Sequence, residues 1–197
     1  MLNTMSHGSY SDSKIMEITR GMKRCDVSAL ATAGHQMARV LLKQFGKYVR
    51  RTRCIDRGVN KQDLPKYAYA DVPAELGECK VILVPIPGRS GVSVYTDILA
   101  KIIGDEVGIE VKNILTGTAR ESFCAIKRKK GKVKDPRSFF GFKVAQEHID
   151  EETVIIFIDN IIDTGTTLET ALSMFPDQEC LSLVYSHTDR YGESYDT

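Results

Sequence analysis

The segment IIFIDNIIDTGTTLETA, residues 155–171, places two acidic side chains beside a turn that suits an anion. Asp159 and Asn160 follow an apolar run, and their carboxylate and amide oxygens can bind the hydroxyls of a vicinal diol. The next turn offers the unpaired N–H groups of a helix start to a phosphate, through Asp163, Thr164, Gly165, Thr166 and Thr167. The pattern indicates a sugar phosphate ligand. The alternative is a strand-to-helix turn capped by Asp163 or Thr164 that binds nothing.

A second loop, VPIPGRSGVS at residues 84–93, also follows an apolar run and also suits an anion. Its glycines allow the backbone to approach a ligand closely. Arg89 can bind phosphate oxygens in a bidentate manner, and Ser90 beside Gly91 adds a hydroxyl. The alternative interpretation is an ordinary Pro-Gly turn.

Apolar runs alternate with helical patterns from Lys80 onward, which predicts an α/β fold with a parallel sheet. The predicted strands are KVILVPIP, IEVKNIL, TVIIFID and CLSLVYSH, and helices are predicted after the first and third strands. In such sheets ligands bind outside the carboxyl ends of the strands, where both loops lie. Before Lys80 we predict a flexible start, a helical stretch over Lys14–Tyr48 and an irregular stretch over Arg50–Ala74.

Composition limits the class of protein. The chain has 197 residues, 42% of them hydrophobic, which predicts one compact unit. Lys and Arg total 27 against 26 for Asp and Glu, so the charge balance argues against a nucleic-acid coat or a membrane-surface protein. Five scattered cysteines without a Cys-x-x-Cys pair disfavour both disulfides and a zinc knuckle. Because no signal peptide or apolar run of about 20 residues is evident, we expect a cytoplasmic protein that is not in a membrane.

The sequence VIIFIDNIIDTGTTLETAL closely resembles the phosphoribosyl-pyrophosphate (PRPP) signature of type I phosphoribosyltransferases, and its IIDTG portion most resembles the hypoxanthine-guanine branch. The resemblance implies that Asp159 and Asn160 hold the ribose hydroxyls and that residues 163–167 hold the 5′-phosphate. It implies pyrophosphate binding by Arg89, Ser90 and Gly91, and a catalytic Asp163 near the N7 proton of the base. Asn160 stands where the family usually has a second acidic residue.

The resemblance also implies the architecture. We expect a type I phosphoribosyltransferase-like parallel sheet flanked by helices, with residues 80–197 as the PRPP-binding α/β core. Residues 1–79 would form an N-terminal helical segment and hood. The long stretch between the second and third predicted strands matches the family's flexible loop, which folds over PRPP and excludes water. Lys127, Lys129 and Lys130 are its candidates for contacting pyrophosphate, with Arg120 and Arg137 as unranked additions. A solvated basic hairpin is the alternative.

The implied activity is the transfer of 5-phosphoribose from PRPP to a nucleobase, a purine being favoured, as in purine salvage. Mg²⁺ would be the cofactor, held indirectly near Asp159 and Asn160 by pyrophosphate, hydroxyls and water. A homodimer is also implied. Two alternatives remain. Asn160 argues for a catalytically silent PRPP-binding regulatory protein, and the basic stretches argue for a related protein that acts with nucleic acid.

Overall fold

The structure is a computed structural model that describes residues 4–56, 80–122, 125–126, 135–145 and 149–188. Its strands are β1 (Thr4–Ser9), β2 (Val81–Pro85), β3 (Glu110–Val111), β4 (Leu115–Thr116), β5 (Lys143–Val144), β6 (Val154–Ile162) and β7 (Cys180–His187). Its helices are α1 (Ser13–Lys23), α2 (Val27–Asp56), α3 (Tyr95–Val107), α4 (Pro136–Phe140) and α5 (Thr166–Leu172).

Within the described residues, five strands form one sheet in the order β1-β7-β6-β2-β3, and β4 and β5 form a separate antiparallel pair. Every neighbouring pair in the larger sheet is parallel. All of β2 and nearly all of β6 is buried, as expected for strands covered on both faces. The predicted α/β class and the parallel sheet flanked by helices are confirmed.

The central strands separate two apolar clusters. Ile156 and Ile158 of β6 pack in the cluster that includes buried residues of α1, α2 and α3, whereas Ile155 and Phe157 pack in the other with Phe140. This alternation is the two-residue period of a strand. No helix in the described part of the chain is long and apolar enough to cross a membrane.

The predicted strand IEVKNIL is wrong as a single element. Its first half, β3, pairs with β2, and the amide of Lys112 donates to Leu83 O at 2.9 Å. The chain then leaves the sheet, and Leu115 in β4 pairs with Val144 of β5. The residues of this segment therefore pair in two different sheets. The local sequence pattern alone does not reveal this.

The prediction of a flexible start is wrong for residues 4–9, which form the edge strand β1 alongside β7. The strand is not evident from the sequence because most of its residues are polar. Two of its hydroxyl groups have partners on β7. Thr4 Oγ1 lies 2.7 Å from Ser182 Oγ, and Ser6 Oγ lies 2.9 Å from His187 Nδ1. The sheet thus includes residues from the segment that the sequence analysis assigns to an N-terminal helical region and hood.

The predicted helical stretch is two helices. Arg24 ends α1, Cys25 adopts a positive φ of 57°, and Asp26 accepts the amide of Ala29 at 2.9 Å to begin α2. The turn brings the end of α1 over the carboxyl ends of β6 and β7. The prediction of an irregular stretch over Arg50–Ala74 is wrong for residues 50–56, because α2 continues to Asp56, and the rest of that stretch, residues 57–74, lies outside the described residues.

Candidate functional site

A cavity of about 390 Å³ lies at the carboxyl ends of β2 and β6, where both predicted loops are found. The structure brings together the predicted site residues Arg89, Asp159, Asn160, Asp163, Thr164, Gly165, Thr166 and Thr167. Lys23, Tyr95, Arg120, Ser122 and Phe140 also line it. Ser90 and Gly91 belong to the same loop as Arg89 but are not among the lining residues.

The turn before α5 is not capped by a side chain. Gly165 is the N-cap with a φ of 81°, and in the described part of the chain no side chain is seen to accept from the first helical amides. Thr164 Oγ1 and Thr166 Oγ1 lie 2.9 Å apart and contact each other. The alternative in which Asp163 or Thr164 caps the turn is therefore wrong, and the N–H groups of this turn remain available to an anion.

The anion loop after β2 is tied to the segment that follows β4. Gly117 N donates to Gly91 O and Arg120 N donates to Arg89 O, both at 2.8 Å. The guanidinium of Arg120 stacks over the ring of Phe140 at 4.8 Å and donates to Pro87 O at 3.3 Å. These contacts hold two arginines at one end of the cavity.

Arg120 and Arg137 are thereby distinguished. Burial lowers the pKa of Arg120, while the neighbouring Asp159 opposes this shift. Arg137 is an exposed residue of α4 and does not line the cavity. The lysines Lys127, Lys129 and Lys130 lie outside the described residues. Among the described residues of the predicted flexible loop, Arg120 is thus the candidate cation that lines the cavity.

Asp159 is a buried carboxylate, with only 9% of the residue exposed. Burial raises its pKa to about 6, although the amide of Asn160, which donates to Asp159 Oδ1 at 2.7 Å, and the charges of Lys23 and Arg120 lower it. Tyr95 lies near this carboxylate, and burial raises the pKa of its hydroxyl, with Asp159 adding to the shift. Asp159 therefore takes up a proton more readily than an ordinary aspartate.

The amide of Asn160 has two protein partners. Asn160 is 1% exposed; its Oδ1 accepts from the hydroxyl of Tyr95 at 3.4 Å, and its Nδ2 donates to Thr19 O at 3.5 Å. Thr19 Oγ1 also lies 3.1 Å from Ser186 Oγ, which in turn donates to Asn160 O. Asn160 borders the cavity, but its side chain joins β6 to α1 and to the start of α3. A carboxylate in its place would lack the donor to Thr19.

Asp163 is held from the end of β7. Thr188 Oγ1 donates to Asp163 Oδ1 at 2.7 Å. Sequence reasoning missed Thr188, and it also missed Lys23 and Tyr95 as cavity residues. No spacing in the sequence relates these residues to Asp159 or Asp163, because they reach the site only through the fold.

A direct metal centre is not evident. No group of three or more His, Cys, Asp or Glu side chains that could hold a metal ion occurs among the residues the structure describes. Mg²⁺ held through pyrophosphate, hydroxyls and water would need no such group.

Asp159→Asn is expected to stabilise the protein at pH 8. The pKa of about 6, compared with the ordinary 3.8, corresponds to about 3 kcal/mol that opposes folding once the carboxylate is ionised. The pKa of Asp159 is higher in the folded than in the unfolded protein. The free energy of unfolding of the unchanged protein therefore falls by this amount as pH rises from about 4 to about 6. Asparagine keeps an oxygen that can accept from the amide of Asn160 without carrying the charge.

Urea unfolding of both proteins at pH 4 and pH 8 measures this effect. The variant should be more stable at pH 8, and the difference should shrink at pH 4. The exposed Asp177→Asn serves as a control for the loss of one negative charge. Equal stability of Asp159→Asn and the unchanged protein at pH 8 would contradict the expected cost of burying this carboxylate.

No family model matches the chain, and no curated protein matches it.

Proposed function

We propose that the protein is a type I phosphoribosyltransferase-like enzyme that transfers 5-phosphoribose from PRPP to a nucleobase, a purine being favoured, and releases pyrophosphate. The observation that carries this proposal is the cavity in which Arg89 and the turn 163–167 meet across two adjacent parallel strands. Asp159 lies between them along the chain and also lines the cavity. Two anion-binding loops and a carboxylate match a ligand with a phosphate, a diol and a pyrophosphate.

The proposed orientation follows from the charges. The uncapped N–H groups of the turn 163–167 take the 5′-phosphate, and Asp159 accepts hydrogen bonds from the ribose hydroxyls. Arg89 and Arg120 then face the pyrophosphate, where planar guanidinium groups bind phosphate oxygens well. The ligand spans the cavity from the start of α5 to the loop after β2.

The reaction breaks the bond between C1 of the ribose and a pyrophosphate oxygen, which keeps the electron pair. A nitrogen of the base forms the new bond to C1, and Asp163 accepts the proton that this nitrogen releases. Arg89 and Arg120 stabilise the charge that develops on the leaving group. Mg²⁺ would be held near Asp159 and Asn160 through pyrophosphate, ribose hydroxyls and water, and it would neutralise pyrophosphate charge.

A second candidate is a catalytically silent protein that binds PRPP. The observation in its favour is the amide of Asn160, which contacts Tyr95 and Thr19 and so leaves Asp159 as the acidic member of the pair. This candidate predicts PRPP binding without pyrophosphate release. A cytoplasmic homodimer is part of the main proposal, and action on nucleic acid is not favoured.

The test measures binding and turnover separately. Calorimetry with Mg²⁺ gives the affinities for PRPP, pyrophosphate and ribose 5-phosphate, and a coupled assay detects pyrophosphate release with hypoxanthine, guanine, xanthine, adenine, orotate and uracil. We expect release with a 6-oxopurine. PRPP binding without release from any base would favour the silent protein.

Arg89→Ala should weaken PRPP and pyrophosphate binding by about 10- to 100-fold, since hydrogen bonds to charged groups contribute about 1.5–3 kcal/mol. Ribose 5-phosphate should bind as before.

Asp163→Asn should lower kcat by about 100-fold, in the range of general base catalysis. Arg137→Ala is the matched control, because this exposed arginine does not line the cavity. Unchanged turnover of every accepted base in both Arg89→Ala and Asp163→Asn would overturn the proposal.

A further inference from the structure

Thr188 is fixed by the backbone of the sheet. It directly follows β7, and its amide donates to Ile162 O at 3.0 Å. This bond extends the ladder between β6 and β7 just beyond the register pair Ile162 and His187. The position of Thr188 relative to Asp163 is therefore set by main-chain pairing and not by its own side chain.

The hydroxyl of Thr188 is directed at the carboxylate of Asp163. Oγ1 lies 2.7 Å from Asp163 Oδ1 and 3.4 Å from Asp163 O. A hydroxyl has one proton to donate, and the shorter bond to a charged acceptor is the stronger. Over the described part of the chain, Thr188 is the one side chain seen to hydrogen bond to this carboxylate. Its second oxygen can therefore serve a ligand.

Thr188 itself does not line the cavity, whereas Asp163 does. We propose that Thr188 is a positioning residue for Asp163, holding its carboxylate in one rotamer so that Oδ2 faces the cavity and receives the proton of the acceptor nitrogen. This inference rests on the proposed function and adds how its base-facing group is oriented.

The proposal separates two parts of a bound nucleotide. The phosphate contacts the main-chain N–H groups of the turn 163–167 and the ribose contacts Asp159, and neither set of groups depends on the Thr188 hydroxyl. The base contacts Asp163, which does. Loss of the hydroxyl should therefore reduce the affinity gained from the base and leave the affinity for the sugar phosphate nearly unchanged.

Thr188→Val and Thr188→Ser are compared with the unchanged protein by calorimetry. The probes are ribose 5-phosphate, PRPP and four mononucleotides, the 5′-monophosphates of inosine, guanosine, adenosine and uridine. Thr188→Val should bind ribose 5-phosphate with an affinity within about twofold of that of the unchanged protein. The ratio of the affinity for the best nucleotide to the affinity for ribose 5-phosphate should fall by about 10-fold. Thr188→Ser keeps the hydroxyl and should retain that affinity.

Turnover provides a second readout. With PRPP and the best base, kcat should fall about 10-fold in Thr188→Val while the KM for PRPP stays within about twofold, and Thr188→Ser should keep the kcat of the unchanged protein. Thr116→Val is the matched control, since this exposed threonine lies on β4 and its hydroxyl donates to Lys143 O. Thr188→Ala repeats the comparison should valine impair folding, which thermal unfolding reports.

The outcomes are distinct. If neither PRPP nor ribose 5-phosphate binds the unchanged protein, the proposed function fails and this inference fails with it. If both bind and Thr188→Val behaves like Thr116→Val, this inference alone is wrong. It is also wrong if Thr188→Val loses ribose 5-phosphate binding equally, or if no nucleotide binds the unchanged protein better than ribose 5-phosphate.

Discussion

Gly91→Ala is expected to lower the free energy of unfolding by about 4 kcal/mol and to weaken pyrophosphate binding by roughly 100-fold or more. Gly91 adopts a φ of 83°, a region that costs a side-chain-bearing residue about 1–2 kcal/mol. A Cβ at this position would also collide with the backbone oxygen of Gly117 and come within 3.1 Å of its carbonyl carbon. Backbone atoms cannot rotate away, so the loop itself must move.

The damage should extend to the arginines. Gly91 O accepts the amide of Gly117, and the next such bond joins Arg120 N to Arg89 O. Displacing one bond of this pair displaces the other, so both guanidinium groups lose their positions. We therefore expect Gly91→Ala to weaken pyrophosphate binding although Gly91 does not line the cavity.

Gly88→Ala is the matched control in the same loop. A Cβ at Gly88 would lie 3.6 Å from Val92 O, which is ordinary contact, and Gly88 has no positive φ. Chemical unfolding and calorimetry with pyrophosphate measure both variants. Similar losses of stability in the two variants would show that the close approach of residues 91 and 117 does not hold the loop.

Asn160→Asp introduces the acidic residue that type I phosphoribosyltransferases usually have at this place in the motif. We expect it to lower the free energy of unfolding of this protein by about 3–5 kcal/mol at pH 8. Asn160 is almost fully buried, and its Nδ2 donates to the carbonyl of Thr19. A carboxylate would lack that donor and would place a second buried charge directly beside Asp159. The two hydrogen-bond partners of the amide are a hydroxyl and a carbonyl, and neither carries a charge that would compensate.

The deficit should shrink at pH 5, where protonation of the new carboxyl removes the charge and restores a donor. Urea unfolding at pH 5 and pH 8 measures this. The exposed Asn113→Asp is the control, because its amide donates to Asp97 at the surface and its loss should cost about 1 kcal/mol or less. A deficit no larger than that of Asn113→Asp would mean that the amide does not join β6 to α1.

The parts of the fold that could be predicted are those determined by short contiguous stretches of sequence. The apolar runs of β2, β6 and β7 and the turns after two of them placed Arg89, Asp159 and Gly165 at one end of the sheet. The general rule for parallel sheets then brought the two loops together.

The remaining site residues could not be predicted because long-range pairing positions them. Arg120 reaches the cavity through the bond from its amide to Arg89 O, and Thr188 reaches Asp163 through its bond to Ile162 O. Lys23 depends on the turn at Cys25, a positive-φ residue that no local signal marks. The role of Asn160 depends on the carbonyl of Thr19 in α1, which lies 141 residues away along the chain.

The edge strand β1 has a consequence for handling the protein. It covers the backbone groups on one side of β7, a strand whose six central residues are all buried. A recombinant version that begins after Ser9 would leave this apolar strand open to pairing with other chains, which is a common route to aggregation. We therefore expect β1, whose mostly polar residues end the described sheet, to limit aggregation through β7.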